Sequence, residues 1–179
     1  MELPLHRSCN IIELIMDEFF ALGEITITIA GFAALFSILR SQKKTWDDFD
    51  KLNLIRFYMM IEFACLISIF SFLPVILLGY FSSEIVFRLS FGLYFLVIFP
   101  YEIYGIKRNI RYSGKIAVDG IRTIILLVIW NLLILYALLG ALDLLGENYK
   151  TNYLILLFLM FVSALYLFIR LIYFSIRKV

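Results

Sequence analysis

The chain is predicted to be an all-α, polytopic membrane helix bundle with five transmembrane helices, its N-terminus outside and its C-terminus cytoplasmic. Three observations predict this. First, the 179 residues are 63% hydrophobic, with a mean hydropathy of +0.96. Soluble domains are nearer about 45–50% apolar, and one of this length could not cover so much apolar side chain with polar surface. Second, long apolar runs fill nearly the whole chain. Lipid offers a peptide group no hydrogen bond, so each run must be a helix or part of a closed barrel. Runs this long that do not alternate are helices. Third, basic residues gather in alternate connections, and basic connections stay in the cytoplasm.

A hydrocarbon core of about 30 Å needs roughly 20 helical residues. The spans fall at about 18–39, 57–81, 85–105, 123–143 and 153–176, in a single membrane domain covering 1–179. The first run is too long for a cleavable signal, and acids rather than a basic region precede it. The connection 40–56 carries Arg40, Lys43, Lys44, Lys51 and Arg56. Within it, Thr45-Trp46-Asp47-Asp48 resembles a capping box with Thr45 as N-cap. A helix starting there would run on into the second span as a rod of roughly 35 residues. Pro74 in span two and Pro100 in span three each lack an N–H, so each should kink its helix or free a carbonyl. Short turns at Ser82-Ser83 and at Gly146-Glu147-Asn148 make the spans they join antiparallel neighbours. The connection 106–122 carries Lys107, Arg108, Arg111, Lys115 and Arg122, with a turn at Tyr112-Ser113-Gly114-Lys115. Arg177 and Lys178 follow the last span. The opposite side offers Arg7 and Lys150 against Glu2, Glu13, Asp17, Glu84 and Glu147.

Ionisable groups inside a membrane are costly and usually face the protein interior. At about 100° per residue, Glu13, Asp17, Glu24, Thr28 and Gly31 share one face of the first helix. Span two adds Glu62, span three Arg88 and Glu102, span four Asn131 and Asp143, and span five Arg170. Matching depths predicts an outer pair, Glu24 with Arg88, and an inner cluster in which Arg170 is shared by Glu62 and Glu102. Glu13, Asp17, Glu24, Thr28, Glu62, Arg88, Glu102, Asn131 and Arg170 would then line a polar path or form buried ion pairs. Pairing lowers the cost of burial, and Arg can fork two hydrogen bonds onto a carboxylate. Small residues recur at Ala30, Gly31, Ala33, Ala34 and Ser37, and again at Ala137, Gly140 and Ala141. Such spacing lets helix backbones approach closely, within one subunit or between copies.

The stretch from Glu18 through Glu24 and the Ala30-Gly31-Phe32 segment to Arg40, followed by Trp46-Asp47-Asp48, resembles the opening span and loop of small uncharacterised prokaryotic multipass membrane proteins. The resemblance implies a prokaryotic inner-membrane location. It implies no activity.

Function is constrained mainly by exclusion. Intramembrane hydrolysis wants a metal motif, a Ser/His or Cys/His set, or paired aspartates in facing spans. None is present: His6 is the single histidine and precedes the first span, and Cys9 and Cys65 lie far apart. No enzyme, metal, cofactor or nucleic-acid partner is expected. Two readings remain. In the first, several copies bring the acidic face of span one together as a cation-attracting path, since acidic rings favour cations. In the second, the chain is a non-catalytic subunit or anchor. It would dock a cytoplasmic protein or anionic lipid through Lys43, Lys44, Trp46, Asp47, Asp48, Lys107, Arg108 and Arg111.

Overall fold

The computed structural model describes residues 5–40, 48–113, 120–146 and 148–176, with side-chain surroundings for 17–35, 57–107, 125, 127–146, 148–170 and 172–173. It is all-helical: α1 (Leu5–Arg40), α2 (Asp48–Leu78), α3 (Ser83–Ser113), α4 (Gly120–Ala141) and α5 (Tyr149–Ile176). Among the described residues, four of these contain stretches long and apolar enough to cross a membrane, within α1, α2, α3 and α5. α2 is one uninterrupted 31-residue helix from Asp48, a rod continuous with the second span; the Thr45 cap lies outside the described residues. Two helices overrun the predicted spans. α1 begins at Leu5, and α3 continues to Ser113, so the second basic connection is partly helix rather than loop. Residues 106–113 contain no Gly or Pro, and Lys and Arg are good helix formers, so nothing stops α3 before Gly114.

The chain turns tightly at one end of the bundle. After α2, Tyr80 and Phe81 donate their amides to the Leu77 carbonyl, and Val86 donates to Ser82 as α3 begins. α4 closes with the Leu144 amide on the Leu139 carbonyl and the Asp143 amide on Gly140, which is the Schellman pattern. Asp143 takes the left-handed position (φ 64°) that glycine usually fills. We call this the turn end and its opposite, where α1 joins α2 and α3 joins α4, the loop end.

α5 packs against all four other helices, and α2 against α1, α3 and α5. α1 lies at the edge, held mainly by α2. Lipid tails are as apolar as leucine, so this core is held by close packing rather than by flight from water. Its hub is Tyr153, fully buried, with the rings of Phe19, Phe87 and Phe91 at 6.0, 6.0 and 5.1 Å. Glycines permit the closest approaches. A Cβ on Gly23 would meet the Phe72 ring at 2.9 Å, and one on Gly140 would meet Phe91 at 2.7 Å. Ala33 and Ala137 are also fully buried, so much of the small-residue pattern serves contacts inside one chain. Outward, the helices present Ile25, Phe32, Ile69, Leu96, Leu132 and Phe158. Tyr80 is exposed at the turn end, and Tyr58, Tyr104 and Tyr173 at the loop end, as in the aromatic girdles of membrane proteins.

Pro74 lies inside α2 and removes the N–H that would reach the Phe70 carbonyl. Tyr153 supplies the missing donor, with its hydroxyl 3.0 Å from that carbonyl. The sequence predicted a kink or a freed carbonyl; the structure shows a partner for the Phe70 carbonyl.

Candidate functional site

Among the described residues, the predicted polar side chains fall into three groups rather than one path. The first is at the loop end, between α2, α3, α4 and α5. Tyr101 of α3 donates its hydroxyl to Glu62 Oε2 of α2. The next residue, Glu102, is 7% exposed and accepts from Asn131 Nδ2 of α4 at 3.1 Å. Asn131 also donates to the Leu127 carbonyl of its own helix at 2.8 Å. Arg170 of α5 is 9% exposed at the same end. Phe63, part of the apolar core, packs edge to face against Trp130 at 4.2 Å and against Tyr101 at 5.2 Å beside this layer. Glu102 takes the neutral amide of Asn131 as a partner, which the depth matching did not predict. Consecutive residues on a helix point about 100° apart. Tyr101 and Glu102 thus serve different neighbours, which matching depths alone does not reveal.

The second group is at the turn end. Arg88 Nη1 lies 3.6 Å from Glu84 and 3.5 Å from Asp143. Tyr149 donates to Asp143 Oδ1 at 2.5 Å, and Asn152 donates to the Leu145 carbonyl. Lys150 bridges to Glu18 at 2.8 Å, tying α5 to α1. The predicted Glu24–Arg88 pair is not formed. α1 and α3 meet through the Phe19 and Phe87 rings, 6.1 Å apart, while Glu24 faces outward, and Arg88 finds a carboxylate one turn before it on its own helix. That i,i+4 spacing was readable in the sequence. The Asp143 contact was not, because it depends on the conformation of the α4–α5 turn.

The third group is the α1 face. Asp17, Glu24, Thr28 and Gly31 are all exposed, opposite the buried Phe19, Gly23, Thr26 and Ala33. Thr28 donates to the Glu24 carbonyl at 2.8 Å, and nothing lies within 4 Å of where a Gly31 Cβ would sit. The expectation that these residues turn inward is overturned. α1 buries its aromatic and small side because that side lets α2 approach: Ser68 donates to the Gly23 carbonyl at 3.2 Å. A carboxylate there would fill the space the contact needs.

Glu13, Asp48, Arg108 and Arg111 lie on described helices, but their side chains fall outside the described residues, as do Lys43, Lys44, Trp46 and Asp47 altogether. Lys107 is exposed. Tyr101, Glu84 and Lys150 are the polar partners that sequence reasoning missed. Including hydroxyls in the depth matching would have flagged Tyr101. Among the described residues no three His, Cys, Asp or Glu side chains are grouped to hold a metal ion. No family model, curated protein or solved structure matches the chain.

Proposed function

We propose that this chain crosses the membrane five times, with its basic connections in the cytoplasm, and assembles as a homo-oligomer whose α1 helices surround a cation path. α4 has 22 residues, about 33 Å of helix, which suits a fifth crossing. The charge asymmetry of the connections supports the orientation.

One observation carries the reading. Glu24 sits within an apolar span and points away from its own bundle. A carboxylate against acyl chains is costly. Another copy, with water between them, removes that cost, and the same helix face offers Asp17 and Thr28 along the axis. Rings of carboxylates in such a path favour cations.

The test is cation flux in liposomes reconstituted with purified protein, comparing wild type with Glu24→Gln. The expected result is cation-selective flux that loses selectivity in the variant. A second readout is disulfide cross-linking of Thr28→Cys, in a background where Cys9 and Cys65 are serine; it should join neighbouring subunits. Absence of flux together with a monomer in lipid would overturn the reading, and docking through 43–48 would then be the reading to test.

A further inference from the structure

We infer that α3 carries a binding strip for an anionic phospholipid at the loop end, independently of any conducting path. The strip is continuous along one side of the helix. Leu93, Leu96, Val97 and Pro100 are exposed there, followed by Tyr104 at 61% exposure and Lys107, also exposed. Because α3 continues unbroken to Ser113, its backbone places Arg108 and Arg111 on the same side. At about 100° per residue, all eight positions fall within about 120° of arc. The opposite side holds Glu102, buried against Asn131, so no carboxylate of the described α3 side chains interrupts the strip; Glu84 sits at the far end with Arg88.

The order of chemistries matches a phospholipid laid along the helix. Apolar side chains meet the tails, and a tyrosine sits where aromatic residues mark the interface. The cations come next. Lys107 and Arg108 lie about 5–6 Å beyond Tyr104 along the axis, and Arg111 about 10 Å. The headgroup layer is roughly 5–8 Å deep on each side. A phosphate there would meet two or three positive positions fixed on one rigid element, whereas cations in a loop would have to be ordered first. Phosphatidylcholine cancels its own charge, so the strip fits a lipid with net negative charge.

The experiment measures lipid selectivity at the protein surface. The full chain is reconstituted in phosphatidylcholine with spin-labelled phosphatidylglycerol or spin-labelled phosphatidylcholine, and the motionally restricted fraction is compared. Wild type should favour phosphatidylglycerol, less so at high salt, where charges are screened. Replacing Lys107, Arg108 and Arg111 by glutamine should reduce the preference to near unity; each cation near the surface contributes about fivefold at most. Replacing Lys43 and Lys44 by glutamine should leave the preference in place. Equal affinity for both lipids in wild type would overturn the strip. So would a preference that survives in the α3 variant, or one lost equally in the Lys43/Lys44 variant, since the latter would mean diffuse surface charge. Helix content and thermal unfolding in phosphatidylcholine keep a folding defect separate. If the triple variant unfolds, Arg108→Gln with Arg111→Gln carries the same comparison.

Discussion

Arg170 is the side chain whose surroundings most need explaining. A guanidinium at 9% exposure in an apolar helix requires a counter-charge, because removing one member of a buried pair costs about 3–5 kcal/mol. Among the described side chains, two carboxylates stand at its end of the bundle. Glu102 is held by Asn131, while Glu62 is on α2, against which α5 packs, and Tyr101 uses one of its two oxygens. Glu62 is therefore the expected partner of Arg170. Glu62→Gln and Arg170→Met should each lower the unfolding temperature in detergent micelles. The double variant should lose clearly less than the two single losses added together. Strict additivity would show that the two groups do not interact. The residues worth asking about were legible in the sequence, because charges in apolar runs are conspicuous. Their partners were not. Tyr101 and Asn131 are unremarkable in an apolar helix, and which neighbour each meets depends on helix rotation to within one residue.

At the scale of elements, the helices themselves were readable and their ends were not. Apolar runs marked where lipid forces a helix, but α1 and α3 run on into charged sequence that no breaker interrupts. Pro74 shows how an element and its neighbour are specified together. It leaves the Phe70 carbonyl without its helical donor, and Tyr153 of α5 replaces that donor at 3.0 Å. Tyr153→Phe should leave the carbonyl unsatisfied and cost about 1–2 kcal/mol. Pro74→Ala restores an amide able to bond Phe70, so Tyr153→Phe in that background should cost about 1 kcal/mol less. A double-mutant cycle read by unfolding in micelles tests this. If Tyr153→Phe is equally harmful with proline or alanine at 74, the hydroxyl acts by some route other than the freed carbonyl.

For the whole molecule, the sequence suggested one inward polar path, and the charges among the described residues instead go three ways: inward at the loop end, across the surface at the turn end, and outward along α1. Periodicity showed that Asp17, Glu24 and Thr28 share a face. It could not show which face α2 covers, since the opposite side offers Gly23 and Ala33, equally suited to close packing. The outward Glu24 makes the state of assembly measurable through stability alone. In a solitary bundle, Glu24 lies against acyl chains, and Glu24→Leu removes a polar group whose transfer to a helix centre costs about 2.5–3.5 kcal/mol, less toward a helix end. The variant should then unfold at a higher temperature in lipid than wild type. In an assembly with water along α1, the carboxylate is already solvated. The same change should then leave subunit stability nearly unaltered, or weaken assembly by putting leucines into a wetted path, while cation selectivity falls. Unfolding of wild type and Glu24→Leu in nanodiscs sized for one copy, set beside liposomes that permit assembly, separates the two. The proposed path requires stabilisation by leucine in the small discs and none in the liposomes; an equal gain in both would leave α1 facing lipid.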